Sequence, residues 1–134
     1  MSVTITNTMD GKNYSEALEA AVIRGLTKIA INVEGDAISL VPVDSGRLKG
    51  SITYAVKGGE SNTRSPAKPG DGVSSPTDEM TAHVGTNVEY AQHVEYGTVK
   101  MSAQPFLRPA LNQNRKSGNR IMQTEIREGL KRGS

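Results

Sequence analysis

The sequence predicts an α+β domain, and three patterns predict it. Apolar residues recur at helical spacing from Leu18 to Leu40. Two short segments, 51–57 and 80–86, alternate apolar and polar residues as strands do. A second helical stretch closes the chain. At 134 residues the chain makes one domain, 1–134. Within it an N-terminal strand or arm is expected at 1–12, a core at 13–111, a projecting loop at 58–79 and a basic C-terminal helix at 106–132.

Val3 to Asn7 alternate as a short edge strand. Asp10-Gly11 turns the chain, and Asn13 with Glu16 has the spacing of a capping box, so a helix starts there. Leu18, Val22, Leu26, Ile29, Val33, Ala37 and Leu40 form its inward stripe, and Pro42 stops it. Gly25 and Gly35 each weaken a helix interior by about 1 kcal/mol relative to Ala, which close packing against another backbone would explain. Asp44 then caps a helical turn running through Gly46, Arg47 and Leu48 to Gly50.

In the first strand Ile52, Tyr54 and Val56 share one face; in the second Met80, Ala82 and Val84 do. Between them, 58–79 holds four Gly, three Pro and four Ser with few apolar residues, so a long loop is expected to project. Tyr90, Ala91 and Val94 line a short helix ended by Gly97. Pro105 and Pro109 open the last helix, with Leu111, Met122, Ile126 and Leu130 inward. Its polar middle, 112–120, contains Gly118 and is either solvated or docked on a partner.

Composition narrows the chemistry. Hydrophobic residues make up 35% of the chain, with four Tyr, one Phe and no Trp, so the core rests on Ile, Leu, Val and Ala, and support from neighbouring subunits is expected. Cysteine is absent, which excludes disulfides, thiolate metal sites and a cysteine nucleophile. No apolar run is long enough for a bilayer and no secretory leader is recognisable, so the expectation is a soluble protein made in the cytoplasm, with no membrane partner. Charge is uneven: residues 1–107 carry nine Lys and Arg against twelve Asp and Glu, whereas 108–134 carry seven against two. That polarity suits nucleic acid and equally suits head-to-tail contact between identical subunits.

Reactive constellations are sparse. Glu89 and His93 stand four apart on a helix, with Glu95 and His83 as further candidates, yet no third ligand is assured and a surface or hydrogen-bonded role is the simpler account; no metal is expected. No nucleophile elbow or phosphate loop occurs; Lys68-Pro69-Gly70-Asp71-Gly72 lacks a following helix, and Asp78 with Glu79 reads as a solvated pair. The expectation is a protein that is not an enzyme and holds no cofactor. Arg108, Arg115, Lys116, Arg120, Arg127, Lys131 and Arg132 make the last helix basic, spread over several faces and without aromatics for base stacking, which leaves nonspecific contact with DNA as a candidate role.

Three stretches carry a resemblance: Pro42-Val43-Asp44-Ser45-Gly46-Arg47-Leu48-Lys49-Gly50-Ser51-Ile52, then Val84-Gly85-Thr86-Asn87-Val88-Glu89-Tyr90-Ala91 with His93-Val94-Glu95-Tyr96-Gly97-Thr98, then Ala103-Gln104-Pro105-Phe106-Leu107-Arg108-Pro109-Ala110. Together, over residues 14 to 111, they resemble the phage tail-component family typified by gene product ten of phage Hong Kong 97, similar in role to minor tail protein Z and tail-completion proteins. The resemblance implies a long helix packed on a small antiparallel sheet, in a ring-forming subunit of six copies at the head-proximal end of the tail. It further implies a virion protein whose partners are itself, the tail tube protein and the head-tail connector proteins.

In that frame Asp44, Gly46, Leu48, Gly85, Tyr90, Glu95, Gly97, Pro105, Phe106 and Pro109 are shape determinants. Arg64, Lys68, Asp71, Arg108, Arg115, Lys116 and Arg120 are the candidate subunit or partner contacts. A tail-completion or tail-terminator component is the leading expectation. A head-closure or adaptor protein on the portal side is the nearest alternative, and a small basic DNA-binding protein the alternative from another class.

Overall fold

The computed structural model describes residues 1–6, 16–42, 46–59, 66 and 68–132. The architecture is α+β. Strands β1 (Ser2–Thr6), β2 (Thr53–Val56) and β3 (Thr81–Gly85) form one antiparallel sheet in the order β1-β3-β2. The helices are α1 (Glu16–Leu40), α2 (Gly46–Ser51), α3 (Ala91–Tyr96), α4 (Leu107–Gln113) and α5 (Arg115–Arg132). The expected Asp10-Gly11 turn, the Asn13 cap and the Asp44 cap fall outside the described residues, as does Arg64.

Helix α1 is sandwiched. Val22, Leu26, Ala30, Val33 and Ala37 are buried in one core cluster with Tyr54, Val56, Ala82 and Val84 of the sheet. Ala21 and Gly25, on the neighbouring flank, meet α5 instead. The helix ends before Pro42, as expected, because proline lacks an amide hydrogen and disfavours helix at the residue before it. Leu40, expected inward, is exposed, since the stripe outruns the surfaces that cover it.

The C-terminal helix is not continuous. It breaks at Asn114, whose side-chain amide donates to Asp36 Oδ2 (2.7 Å) and to Ala110 O (2.7 Å). Helix α5 then runs antiparallel to α1 along small residues. A Cβ on Gly25 would sit 2.8 Å from Met122 Sδ, and one on Gly129 2.5 Å from Ala21 Cβ, while Gly118 lies over Ile29. Glu125 is buried between Arg24 and Lys28. The polar 112–120 stretch is therefore docked, in part, on the chain's own α1. Gly35, expected to mark a close backbone, faces open space, and Leu130, expected inward, is exposed because Gly129 takes the contact with α1.

Two loop and strand expectations change. Ser51 belongs to α2 rather than to β2, and Thr53 and Ala55, on the face opposite Tyr54, are buried as well. The cover is the second half of the loop expected to project: Val73 N–H donates to Thr53 Oγ1 (2.8 Å), Gly72 bridges Thr86, and Ser74 O lies 3.1 Å from His83 Nδ1. Residues 71–74 thus lie on the far face of the sheet and do not project. Backbone and hydroxyl hydrogen bonds hold them where apolar burial does not.

Candidate functional site

Two polar junctions tie the motif stretches into one frame. The first is centred on Arg47, on α2. Its Nε and Nη2 donate to Asp71 Oδ2 and Oδ1 (3.0 and 3.1 Å), and its Nη1 and Nη2 donate to Glu89 Oε1 and Oε2 (2.9 and 3.1 Å). The planar guanidinium makes two forked contacts at once, which a lysine ammonium cannot. Tyr90 lies alongside, its ring centroid 5.8 Å from the guanidinium carbon. Hydrogen bonding to Asp71, then to Glu89, pushes the Arg47 pKa up, and hydrogen bonding to Arg47 holds the Glu89 carboxyl below its ordinary range. Beneath this junction, buried Ser51 Oγ and Thr86 Oγ1 lie 2.6 Å apart, and Thr86 Oγ1 accepts the Val88 amide (3.0 Å).

The second junction is Glu95. Its carboxylate, buried on α3, accepts the backbone N–H groups of Phe106 (3.0 Å), Leu107 (2.9 Å) and Arg108 (3.2 Å). These are orphan donors at the start of α4, and the next residue is Pro109, which has no N–H to satisfy. One carboxylate and one proline therefore complete the helix terminus. Gly97 turns the chain between the two, with φ +79°, and a Cβ there would lie 2.7 Å from Ala103 N. Gly85 is needed for close approach, because a Cβ would collide with the Met1 carbonyl and lie 2.6 Å from Ser2 Cα. Gly46 meets nothing within 4 Å, so no steric demand accounts for it.

The candidate contact residues divide. Asp71 is 5% exposed and engaged by Arg47, so it serves the fold rather than a partner surface. Lys68, Arg108, Arg115, Lys116 and Arg120 are exposed. On α5, Lys116, Arg120, Arg127 and Lys131 fall within an arc of about 60° at about 100° per residue. These four form a stripe opposite the face packed on α1, while Arg115 lies on another face of the helix, beside β1. Arg108 stacks on Tyr96, 5.2 Å from guanidinium carbon to ring centroid, and Arg115 Nε donates to Asn112 Oδ1 (3.0 Å).

The metal candidates are dispersed: Glu89 is on Arg47, Glu95 on backbone amides, His83 beside Ser74 O. Among the described residues no group of three or more His, Asp or Glu converges. The junction roles of Arg47 and Glu95 were not assigned from sequence. The missing amide of Pro109 was the available signal for Glu95; nothing local pointed Arg47 at Asp71.

A family model described as "Bacteriophage HK97-gp10, putative tail-component" matches residues 11–97. The chain belongs to this family. The tail-component match contains the Arg47 junction and Glu95, and it ends before the amides that Glu95 caps. No curated protein and no solved structure matches the chain. As a phage tail component, the protein is a structural protein of the virion. No described helix is long and apolar enough to cross a membrane.

Proposed function

We propose that this tail component is a tail-completion or tail-terminator subunit that forms a ring at the head-proximal end of the tail and takes part in head-tail joining. The observation that carries the reading is the segregation of charge. Residues 108–134 hold seven cations against two acids, while 1–107 are net acidic. The exposed stripe of α5 turns that excess outward, and opposite-signed surfaces favour head-to-tail contact between identical subunits, the geometry that closes into rings. The described buried carboxylates Asp71, Glu95 and Glu125 are each held by partners within the fold, which fits action by shape. Its partners in this reading are copies of itself, the tail tube protein and the connector.

The test is electron microscopy of virions carrying a label at the C-terminus, paired with a knockout. Label at the head-tail junction, with malformed or headless tails in the knockout, is the expected result. Complete tails beside unjoined heads would instead favour the head-closure or adaptor role. Label absent from the virion would end both readings.

The α5 stripe also favours a second reading, nonspecific contact with duplex DNA through Lys116, Arg120, Arg127 and Lys131. That reading predicts affinity falling steeply as salt rises, by an amount set by the number of phosphates neutralised. A ring contact predicts no such binding by the isolated subunit.

A further inference from the structure

Strand β1 is the outer strand of the sheet, and its register fixes which backbone groups it leaves open. Thr86 N–H donates to Met1 O (2.9 Å), and the Met1 amino group donates to Thr86 O (2.8 Å). Antiparallel pairing then turns the backbone groups of Val3 and Ile5 toward β3. Those of Ser2, Thr4 and Thr6 point away from the sheet. No described residue supplies them with a backbone partner, so this edge is a template for another strand.

The edge is not flush with solvent. Two open clefts of about 430 and 480 Å³ lie end to end along it, sharing Thr4, Leu111 and Arg115. Leu111 and Met122 of α4 and α5, both part-exposed, give the opposite wall its apolar contacts. At the rim stand Arg108, held over Tyr96, and Arg115, held by Asn112. Neither has a carboxylate within salt-bridge distance among the described residues, and no Asp or Glu lines either cleft. Among the described residues the groove thus combines three features: strand groups without a backbone partner at every second residue, a wall on which Leu111 and Met122 offer apolar contacts, and two cations without a counter-charge. Strand addition uses the first two for affinity and side-chain selection, and the third adds a sign.

We propose that this groove receives an extended, carboxylate-bearing segment of a different protein, which adds to β1 as a fourth strand with its acidic side chains on Arg108 and Arg115. A second copy of the chain is the poorer occupant. Two-fold pairing of β1 with itself would set one cationic rim against another. Within the described residues, Asp71, Glu95 and Glu125 are already engaged, and the exposed pair Asp78-Glu79 sits between Pro76, which has no N–H, and β3. The inference does not depend on where in the tail the protein sits.

The experiment is a titration of the isotope-labelled full chain, followed by amide chemical shifts and hydrogen exchange. The probes are the acetylated, amidated peptide Glu-Thr-Val-Thr-Val-Thr-Glu, whose alternate positions put Glu and Val on one face, and its counterpart with Lys for Glu. The Glu peptide is expected to shift the Ser2 and Thr4 amides and slow their exchange at least tenfold, and to bind at least tenfold tighter than the Lys peptide. Thr4→Pro removes an outward N–H and no β1–β3 bond, and should abolish binding with the fold intact. The double variant Arg108→Glu, Arg115→Glu should reverse the preference between the peptides, and it decides alone if Thr4→Pro does not fold. Shifts that map elsewhere, equal binding of both peptides, or no binding would overturn the proposal. So would Ser2 and Thr4 amides protected without peptide: at every concentration this means the chain covers its own edge, and only at high concentration it means a second copy does.

Discussion

Helix α4 separates two corners of opposite character. On one side, Glu95 satisfies three amides at once and is itself sealed from water. On the other, no described residue pairs the outward backbone groups of β1, and Arg108 and Arg115 have no described carboxylate within salt-bridge distance. The same short helix contributes to both. The difference teaches that in this molecule polar groups buried and saturated set the shape, whereas polar groups left open at the surface are the ones available to partners.

The sharpest way to break that contrast is Glu95→Ala. Losing three charge-assisted bonds and leaving buried donors unpaired should cost about 3–5 kcal/mol, read from the urea unfolding midpoint. An effect below about 1 kcal/mol would mean water caps α4 as well as Glu95 does.

Next comes the α1–α5 seam. Gly129→Ala should destabilise by about 1–3 kcal/mol, because its Cβ would press on Ala21, despite the better helix propensity of alanine. Gly35→Ala, in open space on α1, should stabilise by up to about 1 kcal/mol. Thermal unfolding of both variants would show opposite signs; equal signs would disprove the packing account.

Glu125 gives a smaller and pH-dependent effect. Hydrogen bonding to Lys28, then to Arg24, holds its carboxyl below the ordinary 4.5. A depressed folded value means the contribution is present above the unfolded value and is lost as pH falls through the folded one. Glu125→Gln should cost about 1 kcal/mol near neutrality, since Arg24 and Lys28 are partly exposed and screened. The stability difference from the natural protein should shrink below pH about 4.5, measured by urea unfolding across pH.

The smallest expected change in stability lies at the open corner. Arg108→Glu or Arg115→Glu should shift unfolding by no more than about 0.5 kcal/mol, as exposed side chains do. A complementation assay should nonetheless show loss of infectivity. Strong destabilisation would make these arginines part of the frame.

The local elements follow from short-range sequence pattern. The apolar period fixed α1, Pro42 its end, two alternating runs located β2 and β3 to within two residues at each end, and Gly97 closed α3. Each depends on residues within a few positions of one another, where backbone sterics and periodicity act directly. Tertiary structure alone decided which partners those elements met. It broke the C-terminal helix at Asn114 through a bond to Asp36, turned Leu130 outward, and laid residues 71–74 on the sheet. Periodicity says that a helix has an inward face and not what covers it. Arg47 with Asp71, Glu95 with the α4 amides, and Glu125 with Lys28 join residues 11 to 97 apart in sequence. Such contacts exist only once the chain has closed on itself.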